Sequence, residues 1–211
     1  MAKYLPLFPL EIVVFPGEKL NLHIFEPRYK QLVLDCITNN TSFGIPTFID
    51  NKVGEYGTEV KILQIEKKYD NGEMDIRTKG VSIFKVKQFD KQAPGRLYAG
   101  GEVKKITDEG TEDIVTKLKI KECMQKLHEV LGLRTLFLDL PEDFKSYDIA
   151  HHLGLSVEQE YLLLQLPNES DRQELLLQHL ITIIPIVEEA ERLKVRVKQN
   201  GHFKNLTPPN F

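Results

Sequence analysis

The stretch GTEVKILQIEKKYDNGEMDIRTKGVSIFKVKQF, residues 57–89, carries the strongest fold signal in the sequence. Three segments within it alternate apolar and polar side chains, as half-buried strands do: 57–69, 73–79 and 81–89. The run Asp-Asn-Gly at 70–72 separates the first two segments. Asn-Gly is a strong hairpin signal, because both positions of the tight turn need φ > 0. The stretch therefore predicts antiparallel β-structure.

The alternation changes phase twice within this stretch. Val60 and Ile62 share one face of their strand, whereas Leu63 and Ile65 share the other. A second change follows between residues 83 and 84. A change of phase inside a strand is typical of a β-bulge or of a strand that passes between sheets, and such features bend sheets into barrels. We therefore predict a small closed or half-closed β-barrel.

One helix is expected to interrupt the β-part. Pro27 suits the first helical turn, and Asn39-Asn40 ends the segment. Four residues between them fall on one helical face: Tyr29, Leu32, Val33 and Cys36. A short strand is predicted to follow at 42–48.

The chain changes character near residues 107–112, where TDEGTE precedes mostly helical patterns. Helices are predicted at 111–132, 146–153, 156–166 and about 170–199. Gly132 is the expected stop of the first, and Ser156 with Gln159 and Ser170 with Gln173 form two capping-box patterns. Pro185 inside the last helix predicts a kink. After it, Ile186, Ala190, Leu193 and Val197 keep one narrow apolar stripe.

These patterns predict an α+β protein in two parts. An N-terminal β-rich pseudo-barrel with one helix is expected over 1–106. A C-terminal helical bundle that ends in a long kinked helix is expected over 107–200, and an extended tail over 201–211.

Composition and charge narrow the function classes. The 211 residues carry a formal net charge of -3, so nothing global attracts phosphate backbones or anionic lipid. No window offers the roughly 20 consecutive apolar residues of a membrane span, and prolines break the apolar N-terminus. The two cysteines, Cys36 and Cys123, are expected as reduced thiols. We therefore expect a cytoplasmic protein with no membrane partner.

The motifs of common enzyme classes are missing from the sequence. It has no P-loop, no dinucleotide fingerprint and no Gly-x-Ser-x-Gly elbow. Both cysteines fall on apolar helix faces, where a buried structural thiol is favoured over a nucleophile. His151 and His152 are adjacent and would point about 100° apart on a helix, which suits one metal ion poorly. We therefore predict no catalytic residues, no metal and no cofactor, with a hydrolase of unrecognised site as a rival hypothesis.

A nucleic-acid-binding protein is the main alternative. Residues 148–166 have the pattern of a helix-turn-helix, and small barrels also bind nucleic acids. The expected second helix, however, contains no Lys or Arg and includes Glu158 and Glu160, which a polyanion would repel. A structural helical corner is therefore favoured. The basic residues near the C-terminus, from Lys194 to Lys204, follow a glutamate cluster and are interpreted as a solvated face.

Residues 5–29, LPLFPLEIVVFPGEKLNLHIFEPRY, resemble the opening of the substrate-recognition (N-terminal) domain of Lon proteases. Residues 57–89 are similar to that family's Gly-Thr strand, hairpin and Gly-x-x-x-Phe strand, and residues 162–180 are similar to its helical part. One departure is Ile83, where many relatives have Arg before the strand phenylalanine. The resemblance implies a stand-alone relative that lacks the ATPase and protease modules, so that a protease label would mislead.

The resemblance also implies a non-catalytic module that binds unfolded or tagged polypeptides, as an adaptor in protein quality control that works with a protease or chaperone. Six aromatic residues of the crowded N-terminal region are candidates for peptide binding: Phe8, Phe15, Phe25, Tyr29, Phe43 and Phe48. Exposed apolar patches mark interaction sites. The competing interpretation is a structural ion pair between Glu26 and Arg28 with Phe25 and Tyr29 beneath it. A weak homodimer is a further expectation.

Overall fold

A computed structural model describes residues 2–108, 110–133 and 140–202, with side chains as far as residue 198. The described chain contains a mixed sheet of six strands and five α-helices. The strands are β1 Ala2–Leu7, β2 Lys19–Ile24, β3 Phe43–Ile49, β4 Lys52–Lys68, β5 Met74–Asp90 and β6 Ala99–Lys105. The helices are α1 Pro27–Thr38, α2 Ile114–Leu131, α3 Ser146–Ile149, α4 Val157–Gln165 and α5 Glu169–His202. A single 3₁₀ turn, Ala150–His152, follows α3.

The long strand β5 organises the sheet. The strand order is β2-β5-β4-β3-β1-β6, and β5 also pairs with β6, so five strands form a closed ring and β2 extends from it. β1 and β3 run parallel, and the other pairs are antiparallel. The predicted pseudo-barrel is thus confirmed. Register shifts at Ile62/Gln64 and beside Val81 lie close to the predicted changes of phase.

Two details of the predicted hairpin are wrong. Segments 73–79 and 81–89 belong to one strand, in which Gly80 leaves room for the Phe15 carbonyl oxygen, 2.2 Å from where a Cβ would stand. In the turn before it, Gly72 has positive φ but Asn71 does not. The turn is a longer loop closed by the Tyr69 N–H, which donates to the Glu73 carbonyl at 2.9 Å.

The helix α1 covers one side of the barrel core. It begins at Pro27 and ends before Asn39, as predicted, and all four residues of the expected stripe are buried. They pack in one cluster with Phe8, Phe43, Ile45, Val60 and Ile76. A second cluster of Leu5, Leu7, Phe84 and Val103 fills the region between β1, β5 and β6.

The chain forms two compact units. The first comprises Met1–Gly110 and Lys145–Glu169, and the second comprises Thr111–Phe144 and Ser170–Phe211. The sheet, α1, α3 and α4 therefore belong together, whereas α2 and α5 form the second unit. The expected division into domains at 1–106 and 107–200 stays a prediction.

The segment 145–169 attaches to the sheet through aromatic and polar contacts. Phe15 stacks on Tyr147 at 4.9 Å between ring centroids and contacts the His151 ring at 4.8 Å. The Tyr161 hydroxyl of α4 accepts a hydrogen bond from the Tyr56 N–H at 3.0 Å. The capping box of Ser156 and Gln159 is present at the start of α4. Residues 146–165 are thus packed against the sheet of this unit.

In the second unit, α2 begins at its N-cap Asp113 and stops at Gly132, whose φ of 69° is left-handed. The predicted capping box of Ser170 and Gln173 is wrong, because α5 already begins at Glu169. The Gln173 side-chain oxygen instead accepts a hydrogen bond from the Asp113 N–H at 2.9 Å. Residues 201 and 202 belong to α5 rather than to a tail, and the rest of the predicted tail lies outside the described residues.

Candidate functional site

The first unit carries an apolar groove with a volume of about 490 Å³, which is within the size range of ligand pockets. Its lining comes from the segment after β1, from α1, from β3 to β6 and from the loop between β5 and β6: Pro9, Leu10, Glu11, Arg28, Tyr29, Phe48, Val53, Phe89, Lys91 and Ala99. Seven of these ten side chains are apolar or aromatic, and three are charged. We call this feature the barrel groove.

Backbone pairing sets the position of the groove's first wall. After β1 the chain continues beside β3, where the Leu10 N–H donates to the Pro46 carbonyl at 3.3 Å and the Phe48 N–H donates to the Leu10 carbonyl at 2.6 Å. Phe48 is paired in register with Val53 on β4. The hairpin that joins β3 to β4 turns at Asp50 and Asn51, which both have positive φ, as a two-residue hairpin requires. Leu10, Phe48 and Val53 therefore lie side by side.

Tyr29 forms the part of the groove that α1 supplies. Its ring stacks on Phe8 at 3.7 Å between centroids, and the Arg28 guanidinium carbon lies 4.6 Å from the ring centroid. Tyr29 is only 8% exposed. Burial is the main cause that raises the pKa of its phenol, so the hydroxyl stays neutral at physiological pH. The groove therefore has a stiff aromatic floor with one neutral hydrogen-bonding group.

Charge is confined to the edge of the groove. Arg28 Nε donates to Glu26 Oε2 at 2.8 Å, which confirms the predicted ion pair at the strand-to-helix junction. Tyr29 lies buried beside it as expected, but Phe25 does not lie beneath the pair, because it is 57% exposed. Glu11 and Lys91 complete the charged lining.

The structure separates the six predicted aromatic residues into three groups. Tyr29 and Phe48 line the groove, and Phe8 supports Tyr29 from below. Phe15 and Phe43 are at most 1% exposed and belong to the core, so they offer no surface to a ligand in this conformation. Phe25 lies outside the groove, with its ring 6.1 Å from the ring of His23.

Leu10, Val53 and Phe89 line the groove although they were not among the predicted site residues. Two signals pointed toward them. Leu10 closes the Leu-Pro-Leu-Phe-Pro-Leu run, and Asp50-Asn51 between apolar segments marks a tight hairpin that brings Val53 back beside Phe48. Nothing local in the sequence brings Phe89, at the far end of β5, to the same place.

The two cysteine thiols lie outside the groove, in environments typical of structural rather than reactive residues. Burial raises the pKa of the Cys36 thiol to about 11, and burial also raises the pKa of Cys123. Neither thiol is therefore activated as a nucleophile. Among the residues that the structure describes, no group of three or more His, Cys, Asp or Glu side chains is placed to hold a metal ion.

One histidine bridges two carboxylates away from the groove. His151 Nδ1 lies 2.7 Å from Glu160 Oε1, and Nε2 lies 3.2 Å from Glu18 Oε2. The hydrogen bond to Glu18 is the main cause that raises the pKa of His151 to about 9. The imidazolium thus joins α4 to the loop before β2. The second histidine of the pair, His152, is exposed.

The first unit is thus a pseudo-barrel with an apolar surface groove, and the second unit is helical. In the described part of the chain, no helix is both long and apolar enough to cross a bilayer. The family model of the ATP-dependent protease La (Lon) substrate-binding domain matches residues 4–182, and the chain belongs to this family. The matched domain is the substrate-binding part of Lon, as distinct from its ATPase and protease parts.

The similar solved structures include one that supports this assignment and one that shares the fold. A Lon N-terminal domain protein from Xanthomonas campestris is 30% identical, with 83% of this chain and 98% of that chain covered and a TM-score of 0.65. The N-terminal domain of the Mycobacterium avium complex Lon protease is 15% identical, with 84% and 98% covered and a TM-score of 0.61, and this likeness concerns the fold alone. A comparison with curated proteins gives no match.

Proposed function

We propose that the chain binds extended, apolar segments of other polypeptides in the barrel groove. The observation that carries the proposal is the continuous apolar lining from Leu10, Phe48 and Val53 to Tyr29 and Phe89. Membership in the Lon substrate-binding family supports it. An unfolded segment exposes apolar side chains, and their transfer into such a groove is favourable by roughly 25 cal/mol per Å² of apolar surface removed from water.

The side chains that line the groove are held in place before a ligand binds, which favours binding. Tyr29 is held by Phe8 and by α1, and Phe48 and Val53 are held by paired strands. Rigid aromatic and aliphatic side chains lose little conformational entropy when a ligand arrives. The edge of the groove carries both signs of charge, from Arg28, Lys91 and Glu11. These groups can pair with the charged side chains or the termini of a bound peptide.

The direct test is binding of a fluorescein-labelled apolar peptide, followed by fluorescence anisotropy. Val53→Lys places a charge in the groove and is expected to weaken binding at least about ten-fold, which corresponds to about 1.4 kcal/mol. Val81→Lys is the matched control, because Val81 is 53% exposed on β5 and does not line the groove. Equal effects of the two substitutions, or no binding by the wild type, would contradict the proposal.

The same assay separates the nucleic-acid alternative. Apolar binding is expected to change little with salt, whereas phosphate-backbone binding falls steeply as salt increases. A labelled oligonucleotide that binds tightly at low salt, with the peptide failing to compete, would favour the alternative.

We further propose that the chain acts as a cytoplasmic adaptor in protein quality control, with a protease or chaperone as the second partner. The support is family membership alone. The test is the rate at which a Lon protease degrades a denatured client with and without this chain. Acceleration by the wild type but not by Val53→Lys is the expected result, and no change in rate would refute the adaptor role.

A further inference from the structure

The strand β2 is the free edge of the sheet in the first unit, because it pairs with β5 alone. The Gly80 N–H of β5 donates to the Glu18 carbonyl at 2.8 Å, so the backbone of every second residue after Glu18 faces β5. The backbone groups of Lys19, Asn21 and His23 point the other way. Within the described residues, no other segment forms a backbone hydrogen bond with these three. An extended chain can therefore add to β2 as a further strand.

The two faces of β2 determine which side chains such a chain would carry. Leu20 and Leu22 are half-buried and pack against the core cluster. Lys19, Asn21 and His23 are exposed on the opposite face. The side chains of an added strand alternate between the same two faces. Apolar side chains at every second position would extend the apolar face, and the positions between them would lie on the face of Lys19.

A row of three lysines crosses the exposed face, and we call it the lysine row. Lys19 of β2 lies directly opposite Lys79 of β5, which lies directly opposite Lys61 of β4. All three side chains are exposed. Such neighbours have Cβ atoms about 5 Å apart, and like charges at that separation destabilise a sheet. Lys19 alone protects an edge against wrong pairing, but Lys79 and Lys61 lie on inner strands, where there is no edge to protect.

Among the residues that the structure describes, no carboxylate forms an ion pair with the lysine row. Carboxylates close to it in the sequence contact other cations: Glu18 contacts His151, Glu59 contacts Lys3 and Glu66 contacts Arg77. At the other end of β2, Asp75 and Glu73 contact His23 at 2.6 and 3.3 Å. Unneutralised positive charge is therefore found at the Lys19 end of the edge, where it attracts carboxylates.

We propose that the free edge of β2 binds an extended acidic segment of another polypeptide as an added strand. Its carboxylates lie beside Lys19, and its apolar side chains lie beside Leu20 and Leu22. Backbone hydrogen bonds provide affinity, and the alternation of acidic and apolar side chains provides specificity. The barrel groove is lined by no residue of β2, so this second site does not rest on peptide binding in the groove.

The probe is a fluorescein-labelled peptide of six residues with valine at alternate positions and two glutamates at one end, used together with the peptide of reversed sequence. Fluorescence anisotropy with the full chain at low salt measures binding. One of the two directions is expected to bind, and replacing both glutamates by lysine is expected to abolish binding. Failure of both directions, or equal binding of the lysine peptides, would overturn the proposal.

Three charge substitutions locate the bound carboxylates. An added strand lies about 4.8 Å beyond β2, so its distance from the lysine row increases from Lys19 to Lys79 to Lys61. Lys19→Gln is expected to weaken binding about five-fold. Lys79→Gln is expected to have a smaller effect and Lys61→Gln the smallest, because salt screens the longer distances. Equal effects, or a largest effect of Lys79→Gln, would place the anion over the face of the sheet and overturn strand addition.

The substitution Asn21→Pro tests the backbone pairing. Proline removes the outward N–H of residue 21 but no hydrogen bond to β5, and edge strands tolerate it at such positions. Binding is expected to weaken at least about ten-fold, whereas the matched control Asn21→Ala keeps the N–H and the affinity. Circular dichroism checks that both variants are folded. Unchanged affinity of a folded Asn21→Pro variant would contradict strand addition.

Methylation of the peptide amides tests the same pairing without altering the protein. In strand addition, every second peptide N–H bonds to β2, so N-methylation is expected to abolish binding at alternate positions only. The same effect at every position would overturn the proposal. An oligonucleotide that displaces the peptide and binds Asn21→Pro as tightly as the wild type would overturn it in favour of a nucleic-acid ligand.

Discussion

The bridge that His151 makes between Glu18 and Glu160 predicts a loss of stability at alkaline pH. The ordinary pKa of 6.5 is raised to about 9 in the folded chain, chiefly by the hydrogen bond to Glu18. When folding raises the pKa of a group, the proton bound by that group stabilises the folded state. The stabilisation is complete at pH values below the pKa in the unfolded chain, and it is lost as the pH rises through the pKa in the folded chain. The relevant window therefore runs from about pH 6.5 to about pH 9.

The magnitude follows from the same shift. At about 1.4 kcal/mol per pKa unit, a fully buried group with this rise would contribute roughly 3 kcal/mol. The His151 side chain is 34% exposed, so solvent screens part of the attraction. We therefore expect about 1–2 kcal/mol of pH-dependent stability from this bridge.

The assay is urea unfolding of wild type and His151→Gln at pH values from about 6 to 10, followed by circular dichroism because the chain contains no tryptophan. The substitution also removes the ring contact with Phe15, so we expect the two proteins to differ in stability at every pH. The difference in unfolding free energy between the two proteins is expected to shrink by about 1–2 kcal/mol across the window. A constant difference at all pH values would refute the reasoning.

Two further predictions concern a close backbone contact in the barrel and the order in which the two thiols react. Gly57→Ala would place a Cβ 2.4 Å from the Ile45 carbonyl oxygen. We therefore expect urea unfolding to show that the variant is less stable by about 1–3 kcal/mol. A variant as stable as the wild type would contradict the close approach of these two strands. Iodoacetamide at neutral pH is expected to modify Cys123 before Cys36, because Cys36 is buried and its pKa is raised to about 11. Peptide mass mapping of the folded chain measures this order. Modification of Cys36 first would contradict the prediction.

Local signals in the sequence predicted most helices well. Pro27 and Asn39 bound α1, and the spacing of Tyr29 to Cys36 identified its buried face. Gly132 ends α2 because the left-handed conformation there is cheap only for glycine. These predictions succeed because helix ends and faces depend on residues within one or two turns of each other.

Predictions that depend on distant contacts were less accurate. Gly80 looked like a break between two strands, yet it lies inside β5 because the Phe15 carbonyl from another segment packs against it. Gln173 matched a capping box, but its side chain bonds to Asp113, sixty residues away in sequence. In both cases a contact with a distant part of the chain determines the role of the residue, whereas its neighbours in the sequence suggest a different role.

The groove shows why candidate sites are harder to predict than folds. Phe43 and Phe48 are equally apolar in the sequence, but Phe43 lies in the core and Phe48 lies at the surface. The pairing of β1 with β3 and of β3 with β4 sets these two positions. That pairing also brings Leu10 beside Phe48, although the two are far apart in the chain. Tyr29 belongs to both the core cluster and the groove, so its substitution would change stability and binding together. Val53, which lines the groove without belonging to the buried clusters, is therefore the position at which binding can be changed with the barrel left intact.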